Sequence, residues 1–313
     1  MTDASAGGGE AGEVGEAGEA GGRIGFKTSP QGVDWATLDA TWALAGELDV
    51  FDAAWMNDHF TDPRRDHGGA SFESLTLAAA LAHRVPGKWI GHGVLANTFR
   101  HPALLAKAAT VLDHVTGGRF IVGLGAGWHE REHRDYGIAL PPIGERIGRL
   151  ESAVDVLKAL FSAEAALPPG VTRPDPFYPL DGALNEPPPR RPGGPPIWLG
   201  GQKRRGLALA ARAADGWIMP GDRAGDVEYL RGKRDEMLRA IEAAGRDPGG
   251  FAFAGQVSVG ADAAGHRAAV ETARAFVAAG ADHIVLGMPA VGGPDALRTM
   301  AEEVAAPLRD GWS

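Results

Sequence analysis

No cysteine occurs in the 313 residues, which removes disulfides, thiolate-ligated metals and cysteine nucleophiles and suits a reducing cytoplasm. Lys and Arg are missing from the first 22 positions and begin at Arg23. With no apolar core there either, that stretch lacks the pattern of a secretory signal. No run approaches the length of a membrane span, about 18 apolar residues. A clustered basic surface of the kind that binds nucleic acid is also missing: Arg64-Arg65, Arg190-Arg191 and Lys203 to Arg205 are short and scattered. The net charge is −9, but Asp3, Glu10, Glu13, Glu16 and Glu19 precede the first basic residue, so the remainder carries −4.

Residues 1–22 repeat Gly, Glu and Ala, with Gly at 9, 12, 15, 18 and 21. Without proline, and far too short for a triple helix, this period reads as a disordered acidic tail outside the fold. From Arg23 the pattern alternates between short apolar runs and helical spacing. Ile24 to Lys27 reads as a strand, and Asp34 can cap a helix carrying Trp35, Leu38, Trp42, Ala45 and Leu48. Phe51 to Asp58, Ile90 to Leu95 and Phe120 to Leu124 read as the next strands. Helices at Ser74 to His83 and, behind Pro102, at Ala103 to Val115 separate them. Ile147, Leu150, Val154, Leu157 and Phe161 mark a further helix, after which 167–196 is proline-rich and reads as an excursion or lid. Alternation resumes with strands at Ile197 to Leu199, Gly216 to Met219, Ala252 to Val259 and His283 to Leu286, each followed by a helical stretch.

Eight strand-helix units in one domain over 23–313 predict an α/β (β/α)8 TIM barrel, with the 167–196 insertion between units four and five. A doubly wound open sheet is the alternative. In a barrel, residues just after each strand face the site, whereas His283 and Arg119, ahead of their strands, are structural. Two strand ends are glycine-rich and lead into helix starts: Gly123, Gly125 and Gly127, and Gly200-Gly201-Gln202. Exposed N–H groups and a helix dipole there predict a two-loop phosphate clamp. The first loop is not a dinucleotide fingerprint, because its third glycine comes one position too early. His129-Glu130-Arg131-Glu132-His133 matches the H-E-x-x-H zinc pattern. Its charged residues, and its position directly after a barrel strand, make it a solvated helix start instead, with no metal expected. Asp58-His59 ends the second strand, where an imidazole with a pKa near 6.5 can exchange a proton at neutral pH. Ser152 and Ser258 lack a nucleophile-elbow context.

Several segments resemble the luciferase-like monooxygenase superfamily, in its coenzyme F420-dependent oxidoreductase branch. They are GFKTS, FDAAWMNDHF, GVLANTFRHPALLAKAATVLDHVTGGR, GLGAGWHEREHRDYGIALPPIGERIGRLE and PPIWLGGQ, and the similarity covers Arg23 to Leu308. The resemblance implies hydride transfer between F420 and a small organic substrate. It implies a cofactor phosphate held at Gly125, Gly127, Trp128 and His129 and at Gly200, Gly201 and Gln202. It also implies a non-prolyl cis peptide at Gly93-Val94 against the ring, Asp58 at the ring system and His59 as acid/base. Two other activities stay open: an FMN-dependent two-component flavin monooxygenase, and a non-catalytic flavin-binding protein. The superfamily commonly forms homodimers, and a flavin or F420 reductase is the partner if the monooxygenase or reductase reading holds. Asp62-Pro63-Arg64 and Trp128 stand where the family's sugar-phosphate dehydrogenases have a tryptophan and a glutamate, which argues against a sugar phosphate.

Overall fold

In a computed structural model, residues 22–63, 65, 69–289 and 292–312 are described, so the acidic tail through residue 21 lies outside them. Strands form where apolar or small residues occur in unbroken runs, as a sheet covered on both faces requires. They are β1 (Arg23–Thr28), β2 (Ala53–Met56), β3 (Trp89–His92), β4 (Leu95–Ala96) and β5 (Phe120–Gly125). A hairpin follows, β6 (Val171–Arg173) and β7 (Leu180–Ala183), and then β8 (Ile197–Leu199), β9 (Gly216–Ile218), β10 (Ala252–Ser258) and β11 (His283–Gly287). Apart from the antiparallel hairpin, neighbouring strands pair in parallel: β2 with β1, β1 with β11, and so on through β10, β9, β8 and β5.

The sheet closes on itself through Ile90 opposite Phe120 and Gly91 opposite Ile121. β3 and β4 are two halves of one barrel strand, interrupted at Gly93-Val94, where the peptide bond is cis. Eight barrel strands result, as the alternation predicts, and the expected cis peptide is where the resemblance places it.

The barrel interior is filled by an exchange of volume between indoles and glycines. Trp55 and Trp198 pack 5.5 Å apart. A Cβ added at Gly25 or Gly91 would lie 2.6 Å from the Trp55 ring, and one at Gly216 would lie 2.7 Å from Trp198. Three positions without a side chain therefore admit two of the largest, which fills the barrel without voids. The N-terminal mouth is plugged by Arg23 over the Trp89 ring at 4.8 Å and by His283 edge-on to Trp198 at 4.7 Å. His283 is thus structural, as its place ahead of a strand predicts.

Helices pack outside: α1 (Trp35–Glu47), α2 (Ser74–Leu81), α3 (Pro102–Val115), α4 (Glu130–Asp135), α5 (Ile143–Phe161), α6 (Arg204–Ala213), α7 (Val227–Ala243), α8 (Ala263–Ala278) and α9 (Pro294–Met300). Asp34 caps α1 by accepting from the Thr37 amide at 2.8 Å. The second half of the proline-rich excursion docks on the outside of the barrel. Buried Asn185 donates to Thr110 Oγ1 and the Leu160 carbonyl, and the Arg191 amide donates to Asp113. Arg191 also stacks over Trp89, so the segment runs along α3 to the face opposite the strand C-termini. No helix among the described residues is long and apolar enough to cross a membrane.

Burial holds His92 down to about 4 and His283 down to about 3, the latter helped by adjacent Arg23. An unfolded histidine takes its proton near 6.5 and these two refuse it. Their contribution to stability is therefore complete above pH 6.5 and is lost as pH falls toward the folded values, by at most about 1.4 kcal/mol per pH unit each. Urea unfolding between pH 7 and 5 should show this slope, and His283→Gln should flatten it by up to half.

Candidate active site

At the C-terminal mouth, strand ends and the loops after them converge. β2 ends in Asn57, Asp58 and His59. His59 Nδ1 lies 2.8 Å from Glu132 Oε2, and the second oxygen, Oε1, accepts from the Thr61 amide at 3.0 Å. A carboxylate only accepts, so His59 carries its proton on Nδ1. Nε2 has no partner among the described residues and stays reachable in a side chain that is 14% exposed. Burial alone would raise the Glu132 carboxyl. Hydrogen bonds from His59 and the Thr61 amide outweigh it and hold the group below the usual range.

Glu132 belongs to the HEREH segment, and here the structure corrects the sequence reading. α4 does start there, with His129 as its cap, and Glu130, Arg134 and Asp135 are exposed, but its other face is not solvated: Glu132 and His133 are each only 1% exposed. His133 Nδ1 faces the His129 carbonyl at 2.8 Å and must donate to it, leaving Nε2 to accept the Thr98 hydroxyl at 2.7 Å. His129 Nδ1 accepts the Glu132 amide at 3.4 Å. It therefore cannot also donate to the Glu132 carboxylate 3.3 Å away, and that oxygen falls to His59. The two histidines of the zinc-like pattern are spent on fixing the loop. No cluster among the described residues could hold a metal ion.

The loop of Gly125, Gly127, Trp128 and His129 is shaped by close approach. Gly127 adopts a positive φ of 76°, and a Cβ there would sit 2.2 Å from Thr98 Oγ1. Val94 projects between the two predicted clamp loops: added Cβ atoms at Gly125 and Gly200 would lie 2.7 and 3.1 Å from its methyls. The residues expected from the resemblance, Gly93, Val94, Gly125 and Gly200, thus meet at one place. Gly201 and Gln202 are held from the next strand and helix, by Trp217 Nε1 at 2.8 Å and by the Tyr229 hydroxyl at 3.3 Å. α6 then begins with no side-chain cap, and neither Lys203 nor Arg204 makes an ion pair among the described residues. Trp128 is 64% exposed and stands edge-on to His59, ring centroids 5.7 Å apart.

Asp58 is held by protein groups. Arg100 grips it with both terminal nitrogens, at 2.6 and 2.8 Å, and the Ala96 amide donates at 2.8 Å. Arg100 also reaches Glu73, whose carboxylate caps α2. The trio ties β2, β4 and α2 together beside His59.

Sequence reasoning gave no site role to five residues. Glu132 and His133 were taken for surface. Asn97 is 3% exposed with both amide atoms unpartnered, and Asn57 Oδ1 is a further buried orphan. Arg146 on α5 donates to the Gly127 carbonyl and keeps a buried, unpaired Nε. The signal for Asn97 was available, since it directly follows a barrel strand.

With this geometry in place, comparison with known proteins is informative. Residues 27–307 match the luciferase-like monooxygenase family. The chain belongs to that family. An F420-dependent glucose-6-phosphate dehydrogenase of Nakamurella multipartita is 31% identical over 226 residues, 72% of this chain and 63% of that protein. A phthiodiolone/phenolphthiodiolone dimycocerosates ketoreductase of Mycobacterium tuberculosis is 33% identical over 186 residues, 57% of this chain and 45% of that protein. The chain therefore spans less than two thirds of either relative. Among solved structures, an F420-dependent secondary alcohol dehydrogenase in complex with an F420-acetone adduct superposes with TM-score 0.79 at 18% identity, covering 93% of this chain and all of that one. A long-chain alkane monooxygenase gives 0.74 at 16% identity, over 93% of this chain and 92% of that one. At these identities both show the luciferase-like barrel fold.

Gly127→Ala puts a methyl into the Thr98 hydroxyl from a left-handed backbone. It should cost about 1–2 kcal/mol for the backbone alone, with more from displacing Thr98. Urea denaturation would measure the loss, and an unchanged midpoint would contradict the packing described.

Proposed function

We propose that this chain is an oxidoreductase that transfers a hydride between coenzyme F420 and a small organic substrate, with His59 exchanging the accompanying proton. The observation that carries the reading is the Glu132–His59 pair, which leaves Nε2 as the one working nitrogen at the barrel mouth. F420 dependence draws support from the glucose-6-phosphate dehydrogenase of Nakamurella multipartita and from the secondary alcohol dehydrogenase fold.

The residues fit a phosphate-bearing heteroaromatic cofactor. Gly125 and Gly200 leave room around Val94 that a Cβ would close. The uncapped start of α6 offers N–H groups, with Lys203 and Arg204 adjacent. Asn97 and Asn57 hold buried polar atoms without protein partners, as a cradle for heterocycle carbonyl and N–H groups would. When bound, the deazaflavin supplies the carbon that gives or takes the hydride. Gly125 to His129 and Gly200 to Gln202 would hold its phosphate, and Gly93, Asn97 and Asn57 its ring.

His59 performs the proton chemistry. As the neutral Nδ1-H tautomer its Nε2 accepts an alcohol proton, and Glu132 stabilises the imidazolium that forms. In the reverse direction the same nitrogen donates. Trp128 stands edge-on against the His59 ring. Asp58, with its oxygens taken by Arg100 and Ala96, positions the strand end.

His59→Ala should lower turnover of secondary alcohols or ketones by about 10²–10⁴ while F420 affinity changes less than threefold. Equal turnover would refute the role. At 100 times its dissociation constant F420 should stabilise the protein by about 2.7 kcal/mol. Stabilisation by FMN and not by F420 would transfer the site to the flavin monooxygenase reading.

A further inference from the structure

The ends of β1, β2, β10 and β11 and the loop after β9 line an open cavity of about 370 Å³, which reaches Asn57, two residues before His59. Lys27 lies in its wall. It is two residues beyond Gly25, whose missing Cβ faces the Trp55 indole inside the barrel, so strand periodicity points the lysine inward above that aromatic layer. Nζ donates to Gln256 Oε1 at 2.9 Å and to the Gly93 carbonyl at 3.4 Å. Gln256 cannot turn its amide over, because Nε2 already donates to the Met219 carbonyl. The lysine is therefore held by a fixed acceptor, with one N–H to spare.

Both of its partners are neutral. No carboxylate pairs with Lys27 among the described residues, although an enclosed ammonium ordinarily has a counter-charge. Among the described residues Asp222, on the exposed loop after β9, is the other charged side chain lining the cavity. The remaining walls near Lys27 are neutral: Gln256 from β10, Asn57 after β2, Ser258 at the end of β10 and the Gly93 backbone. Burial lowers the ammonium to about 8, still charged at neutral pH and without compensation.

We propose that Lys27 is a specificity-determining residue of this site, the counter-ion for a carboxylate on the small organic substrate. The assignment rests on reading the cavity as the substrate side of the proposed active site. The anion belongs to the substrate and not to the cofactor, whose phosphate has its own loops across the mouth.

Calorimetric titration of the cofactor-free protein with propanoate, 2-hydroxypropanoate and uncharged propanamide tests this independently of the cofactor's identity. At pH 7 the two carboxylates should bind and propanamide should not. Lys27→Met should weaken both carboxylates at least tenfold while leaving F420 affinity within twofold and circular dichroism unchanged. Lys27→Arg, permanently charged, should keep carboxylate binding at pH 9.5, where the wild type loses it as the lysine deprotonates. The proposal is overturned if the wild type binds neither carboxylate, if Lys27→Met binds them equally, or if Lys27→Met weakens F420 tenfold. The last result would assign the charge to the cofactor.

Discussion

The carboxylate of Glu132 lies out of reach of water, so both of its oxygens must be satisfied by protein. One takes the His59 ring and the other the Thr61 amide, both from the segment after β2 and more than 70 residues away in sequence. That single side chain sets the His59 tautomer, fastens the end of one barrel strand to the helix that follows another, and fixes α4 in place. With α4 fixed, His133 can hold Thr98, and Thr98 fills the space that Gly127 leaves open. The geometry of the glycine loop and the tautomer of His59 therefore depend on one buried ion.

Beneath this polar layer the barrel is dry and tightly filled, with indoles occupying room surrendered by glycines. The division matters for function. A rigid apolar floor keeps water out from below, so polar groups above it act at low dielectric, where an oriented dipole or charge has most effect. Lys27 stands at the boundary, with its stem beside the aromatic floor and its ammonium in the cavity. The lowered ammonium pKa is the physical consequence of that place.

Much of the fold was legible because a parallel barrel writes itself locally. Strand cores at Phe120 to Leu124 or Ile197 to Leu199 are buried on both faces and read as unbroken apolar runs, and the observed elements agree to within a residue or two. The place of His59 at the barrel mouth was legible from its position after β2. Glu132 was not, because its charge looks like surface in a segment rich in charge, and its partners come from a distant strand. Arg146 was hidden for the same reason, as a polar residue on an amphipathic helix. For the proline-rich stretch the sequence left excursion and lid both open, since composition reports that helix is impossible but not where the chain docks. Asn185 decides that, by donating into α3 and α5.

Glu132 fixes the His59 proton on Nδ1 and leaves Nε2 without a partner among the described residues. Nitrogen-15 NMR of the histidine side chains, assigned by comparison with a His59→Asn variant, reads this directly. At neutral or mildly alkaline pH the His59 Nδ1 should appear protonated and Nε2 unprotonated, and Glu132→Gln should mix the two tautomers. A wild-type His59 protonated on Nε2 alone, or a tautomer unmoved by Glu132→Gln, would contradict it.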